Sequence, residues 1–233
     1  MQVMRTHKDI WNKEYKTSEH LALSTFVAED LQKFARFLER HEGRTHLNPT
    51  SLALDLGCGN GRNLVYISQQ YGMRGVGYDI SDEAITQAQT VSEGLPIAYE
   101  VRSIEGDLDL KDASASLVLD MMTSHFLRSA PRKHLLAEIV RILKPGGWLF
   151  FKSFLLEEDQ NAKRLLKEHP ADEPYSYIHP SFGVYEYVWT IPSIREFFEL
   201  YFEIHKIEKS HRHLTRQGEP NKRRTVSVYL ERR

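Results

Sequence analysis

One stretch constrains this 233-residue chain more than any other: an apolar run that ends in a glycine loop and opens a helix. The run is Ser51 to Leu56, the loop is Gly57-Cys58-Gly59-Asn60-Gly61, and a helix-like segment follows from Asn63 to Tyr71. Strand, glycine turn and helix in that order make a cradle for an anionic or adenosyl ligand. Glycines lack a Cβ, so the backbone turns tightly and a ligand can lie against it. Asp55, just before the glycines, biases the choice of ligand. Its carboxylate repels a pyrophosphate and attracts a cationic amino group.

The spacing is Gly-x-Gly-x-Gly, not the Gly-x-Gly-x-x-Gly of a dinucleotide fold. A second acid strengthens the reading. The apolar segment Gly75-Val76-Gly77-Tyr78 ends in Asp79, roughly 20 residues after the first glycine, where such folds place a ribose-binding carboxylate. Around these motifs strand and helix signals alternate. Strands are expected at Leu52–Leu56, Gly75–Asp79, Ile97–Arg102, Ser116–Asp120 and Trp148–Phe154. Helices are expected at Asn63–Tyr71, at Asp82–Ser92 behind a Ser81 cap, and at Arg132–Leu143 before Lys144-Pro145-Gly146-Gly147. The alternation implies a doubly wound, mostly parallel α/β sheet.

Before Asn48-Pro49 the chain reads as helical, with Val27, Leu31, Phe34 and Leu38 at helical spacing. Residues 1–48 are therefore expected to be a helical cap over the site, and residues 49–233 the main domain. Leu155 to Thr190 departs from the pattern and reads as an insertion, charged at first and then rich in Tyr, His and Pro. Phe202–Ile207 and Thr225–Leu230 have strand composition, separated by a segment ending in Lys222-Arg223-Arg224, which reads as a solvated turn.

Together these elements resemble the class I S-adenosylmethionine-dependent methyltransferases over about Leu52 to Phe151. The glycine motif is matched by Asp55, Gly57, Gly59 and Gly61, and the ribose acid by Asp79. Gly106-Asp107-Leu108 stands where the family places its adenine contacts, and Leu143 to Leu149 resembles the turn before the fifth strand. The resemblance implies a Rossmann-like seven-stranded sheet, closed by a C-terminal antiparallel hairpin, and S-adenosylmethionine as cofactor. It implies that Asp55 faces the methionyl ammonium and Asp79 the ribose hydroxyls, which a carboxylate accepts well. Ile80 would pack on the adenine, Asp107 would accept from its amino group, and the Leu108 backbone would lie beside the ring. Cys58 and Asn63 would pack beside the cofactor. Cys58 does not match the nucleophile of cytosine-C5 methyltransferases. Trp11 and Tyr15 resemble an N-terminal helix that many members fold over the cofactor, although Trp11 suits packing on the sheet equally well.

The resemblance names no acceptor. Ligands in open α/β sheets sit beyond the carboxyl ends of strands, which brings Asp120 and the following His125 toward the reacting centre. His125 is the general-base candidate, because histidine takes a proton near neutral pH; its alternative role is support of its loop. The Asn/Asp-Pro-Pro-Tyr motif of adenine-N6 and glutamine methyltransferases is absent after the fourth strand. Tyr177, His179 and Tyr185 in the insertion are candidate substrate residues on a lid. Gly59-Asn60-Gly61-Arg62-Asn63 resembles a branch that includes tellurite-resistance methyltransferases. There a His-Arg pair faces the active site, and His211-Arg212 here fall about one residue from it.

Composition narrows the rest. Thirty-one basic residues balance 32 acidic ones for a net charge of −1, which argues against a nucleic-acid partner. No apolar run is long enough to span a bilayer, and no signal-peptide pattern stands out. A single cysteine excludes an internal disulfide and fits a cytoplasmic setting. No metal-ligand set is visible in the sequence. The expectation is a methyltransferase acting on a small molecule, as a monomer or homodimer. The alternatives are an RNA or protein methyltransferase, or a non-catalytic S-adenosylmethionine-binding subunit.

Overall fold

The computed structural model describes residues 6–17, 23–210 and 223–233. Helices α1 (His7–Thr17) and α2 (Glu29–Glu42) precede an alternating run of β1 (Leu52–Leu56), α3 (Arg62–Tyr71), β2 (Arg74–Asp79), α4 (Asp82–Val91) and β3 (Ile97–Val101). Next come β4 (Ala115–Met121), a single 3-10 turn (Ser124–Phe126), α5 (Ser129–Ile142) and β5 (Leu143–Phe154). The insertion holds α6 (Gln160–Glu168), β6 (Ser176–Ile178) and β7 (Tyr185–Tyr187). It is followed by α7 (Ile191–Phe198), β8 (Phe202–Lys209) and β9 (Thr225–Arg232).

The sheet has seven strands in the order β3-β2-β1-β4-β5-β9-β8. Five strands run parallel, and β9 and β8 close the far edge antiparallel. The expected doubly wound sheet with a C-terminal hairpin is therefore present. β6 and β7 form a separate two-stranded ribbon.

Period-two alternation sorts the strands' side chains onto two cores. On β4, Val118 joins one face while Leu117 and Leu119 join the other. On β5, Leu149 and Phe151 go one way, Trp148 and Phe150 the other. α2 belongs to the second core, where Phe34 stacks on Phe150 with ring centroids 4.8 Å apart.

Two elements start three residues or more before the sequence reading places them. α5 begins at Ser129, because Pro131 falls within the first turn, where a missing N–H costs nothing. β5 begins at Leu143, since Leu143 pairs with Ala115 before the register shifts ahead of Trp148. Strand order reverses between β1 and β4, so a crevice opens at their carboxyl ends. No helix among the described residues is long and apolar enough to cross a membrane.

Candidate active site

A cavity of about 640 Å³ occupies that crevice, within the size range of small-molecule sites. The glycine loop forms one end. Gly57 and Gly59 adopt φ of 66° and 55°, a left-handed backbone that side-chain-bearing residues disfavour. A Cβ would also collide with Thr123 at Gly57 and with the Tyr15 hydroxyl at Gly59. The loop is pinned by the Cys58 N–H donating to the Tyr78 carbonyl at 2.9 Å. Asp79 completes the cradle: one carboxylate oxygen accepts from the Gly59 N–H and the other from the Ser81 N–H, both at 2.9 Å.

Gly57, Cys58, Gly59, Asn63, Asp79 and Ile80 all line the cavity; Gly61 does not. Gly61 instead starts α3, packed against Tyr99. Burial raises the Cys58 thiol well above its usual range, so it stays protonated and unreactive.

Three buried acids, Asp55, Asp79 and Asp120, stand at the carboxyl ends of β1, β2 and β4. Asp55 is enclosed and off the lining, and its Oδ2 has no hydrogen-bond partner among the described residues. Burial, reinforced by repulsion from Asp79 and opposed by Arg62, pushes its carboxyl up to about 8. A buried acid with a free oxygen is satisfied by a cation. S-adenosylmethionine carries a sulfonium and an ammonium, so its positive charge fits this corner, and its ribose hydroxyls fit the remaining lone pairs of Asp79.

α1 lies across this end. Its Asn12 Oδ1 accepts from the Ser81 hydroxyl at 2.7 Å, and Lys8 pairs with Asp82 at 2.8 Å. Gln87 donates to the Tyr15 carbonyl at 2.9 Å. The tethers bring Trp11 and Tyr15 into the lining, with Trp11 edge-on to Phe126 at 5.1 Å. Leu23 and Ser24 line it as well, and the Ser24 carbonyl accepts from Asn60 and Arg62.

The expected adenine element stands beside the cavity and not on its lining. Gly106, Asp107 and Leu108 are off the lining; Arg102, Ser103, Ile104 and Glu105 occupy that wall. Asp107 is exposed and pairs with His134 of α5 at 3.0 Å. The Leu108 N–H donates to Glu138 at 2.8 Å, and Arg141 donates to the carbonyls of Leu108 and Leu110. α5 thus holds this element from behind, and the preceding residues line the cavity.

The other end is built from side chains. Asp120 is off the lining; it accepts the Ser124 N–H at 3.0 Å and so holds the turn that carries His125. His125 lines the cavity, is 1% exposed, and neither ring nitrogen has a partner among the described residues. Burial, with the charges of Arg223 and Arg132, lowers it to about 3. The ring is therefore neutral at physiological pH, free to accept a hydrogen bond but a poor store for a full proton.

Of the insertion residues, His179 lines the cavity, whereas Tyr177 and Tyr185 do not. Tyr177 is fully buried and bonds to Glu186 and Arg223; the Tyr185 hydroxyl donates to Glu173 at 2.6 Å. His211 and Arg212 lie outside the described residues. The sequence reading missed Glu186, Lys152 and Arg223, which all line this end. Arg223 is not a solvated turn residue. It meets Asp159 at 2.8 Å and lies over the Phe154 ring at 4.0 Å. Its only local signal is position, two residues before the start of an expected strand.

A methyltransferase-domain family model matches residues 54–151, the span that carries every cofactor motif. The chain is 32% identical over 101 residues to a methyltransferase of Synechocystis sp., covering 43% of this chain and 46% of that protein. It is 29% identical over 127 residues to the carboxy-S-adenosyl-L-methionine synthase of Wolinella succinogenes, covering 53% and 50%. The matched region thus spans about half the length of these curated relatives. A crystal structure of a methyltransferase from Methanosarcina mazei shares the fold, with a TM-score of 0.66 at 23% identity, covering 81% of this chain and 95% of that one. With its strand order, its glycine loop and the acid that ends β2, the chain carries a methyltransferase domain over residues 54–151 and has the fold of S-adenosylmethionine-dependent methyltransferases.

Proposed function

We propose that the protein transfers the methyl group of S-adenosylmethionine to a nucleophilic oxygen, nitrogen or sulfur of a small-molecule acceptor. The observation that carries this reading is the division of one cleft-like cavity. A cationic-ligand cradle stands at one end and a pocket of aromatic and polar side chains at the other. Bound in the cradle, S-adenosylmethionine supplies an electrophilic methyl group.

The residues do the rest. The Gly57–Gly59 backbone and Asp79 hold the ribose side, Asp55 answers the ammonium, and the wall from Arg102 to Glu105 with Ile80 receives the adenine. Trp11 and Tyr15 exclude water from this end. Phe154, Phe182 and Val184 wall the acceptor end. Positioning a nucleophile in line with the methyl group removes most of the entropic cost of such a transfer. His125, kept neutral by burial, accepts a hydrogen bond from the nucleophile and orients it, while Asp120 holds the turn beneath. On this reading α1 with residues 23–28 is the cap, and the loop from His179 to Glu186 is the lid. The near-balanced charge and a cavity of about 640 Å³ support a small acceptor over RNA or protein.

Calorimetry with S-adenosylhomocysteine tests the cradle. Incubation with methyl-labelled donor and a metabolite extract, with mass identification of the labelled product, tests the transfer. Binding and a labelled small-molecule product are expected. No binding, or label only in RNA or protein, overturns the reading.

A further inference from the structure

The acceptor end contains a charged group that the methyl-transfer reading leaves unexplained. Arg223 lines the cavity, and three of its features are fixed from behind. Its Nε donates to Asp159 Oδ2 at 2.8 Å. Its Nη1 donates to the Tyr177 hydroxyl at 2.7 Å and lies 3.7 Å from Glu186 Oε2. Its guanidinium carbon stacks 4.0 Å from the centroid of Phe154. Only Nη2 is left, buried and without a hydrogen-bond partner among the described residues. An unmet donor on a buried cation is costly, and a guanidinium with one free amino group can donate to an oxygen anion.

We propose that the methyl acceptor carries a carboxylate and that Arg223 receives it, with the nucleophile directed toward His125 and the donor. The proposal rests on the methyl-transfer reading and names its substrate class. The His125 ring lies 5.1 Å from Phe154, the same ring that Arg223 covers, so one small molecule can meet both.

The surrounding charges select a carboxylate over a phosphate. Asp159 already shares its charge among Arg223 and the backbone N–H groups of Ala162 and Arg224. Glu186 takes the Tyr177 hydroxyl proton in a hydrogen bond, and burial raises its carboxyl, which lessens its repulsion of an anion. The other cations are engaged: Lys152 with Asp30 at 2.5 Å, and Arg224 with Glu158 at 3.7 Å and the Ser210 carbonyl. One free guanidinium nitrogen matches a single negative charge; a doubly charged phosphate would face Glu186 with no second cation.

The test compares benzoate with benzamide, and acetate with acetamide, by ligand-observed NMR, with and without S-adenosylhomocysteine. Wild-type protein is expected to bind the carboxylates roughly tenfold or more tightly than the amides. R223Q is expected to bring that ratio to about one while S-adenosylhomocysteine affinity holds. R223K, which keeps the charge and loses the fork, should fall between. If R223Q does not fold, the wild-type ratio and R223K still decide. No carboxylate binding, equal binding of acid and amide, an unchanged ratio in R223Q, or stronger competition by inorganic phosphate than by benzoate overturns the proposal. Failure of S-adenosylhomocysteine to bind sinks the methyl-transfer reading instead, and the carboxylate titration without it remains readable.

Discussion

On the proposed reading, the donor end of the cavity rests on a glycine backbone and the acceptor end on side chains. That first end is framed by one short stretch, Gly57 to Gly59, and by the acid that closes the next strand. At the acceptor end His125, Glu186 and Arg223 come from a turn after β4, from β7 and from the residues before β9. A backbone cradle is set by local φ and ψ and leaves little to adjust. A side-chain pocket is set by packing between distant elements and can be retuned residue by residue. This difference lets one family keep a cofactor while changing acceptors.

Four experiments press on that contrast. The largest effect is expected from Asp79→Ala, which frees the Gly59 and Ser81 N–H groups and removes the ribose acceptor. Affinity for S-adenosylhomocysteine should fall on the order of 100-fold by calorimetry, about 3 kcal/mol. A loss of under threefold would mean the cradle does not rest on this acid.

Next comes a pH effect from Asp55. Its carboxyl, pushed up to about 8 by burial, holds a proton in the free protein and must release it to face an ammonium. S-adenosylhomocysteine affinity should rise by more than tenfold between pH 6 and pH 8 and level off above that. Proton release should appear as a buffer-dependent binding enthalpy, and Asp55→Asn should abolish both. For folding the same shift has the opposite sign. Between the ordinary value of 3.8 and about 8 the native carboxyl binds a proton that the unfolded chain has lost. Its contribution to stability is therefore full below that window and lost as pH rises through it. A flat affinity profile would remove Asp55 from the cation site.

A third variant tests whether the backbone end tolerates any retuning. Gly59→Ala adds a Cβ at a φ of 55° and against the Tyr15 hydroxyl. S-adenosylhomocysteine affinity should drop about tenfold, from a strain of roughly 1–2 kcal/mol and the collision. Adding Tyr15→Phe should recover only the part due to the hydroxyl, and full recovery would show that the left-handed backbone is not what matters.

The smallest effect belongs to the acceptor end. His125, lowered to about 3, stays neutral across the working range, so the kcat profile should show no histidine limb between pH 5 and pH 8. His125→Gln should lower kcat by about tenfold or less, consistent with orientation rather than proton storage. A limb near 6.5 that vanishes in this variant would mean that the ring titrates as a base.

Legibility in the sequence followed the same divide. The strand order, the hairpin and the positions of Gly57, Gly59 and Asp79 were readable because each rests on a short-range pattern of burial or glycine content. Asp107 misled for a tertiary reason. The residues after β3 take their direction from Glu138 and Arg141 on α5, about thirty residues away, and nothing local records that pull. Tyr177 and Tyr185 were aromatic and polar enough to suit a lid, yet their hydroxyls turn inward to Glu186 and Glu173.

By itself the sequence determined the fold, the cofactor family and the shape of the glycine loop, since these follow from alternation along strands and from residues that must turn without a Cβ. Only the tertiary structure decided what the far end of the cavity presents. Asp159, Tyr177 and Phe154 come from separate elements to hold Arg223 with its Nη2 unmet among the described residues. A cation's surroundings depend on which elements fold around it, and spacing along the chain carries no record of them.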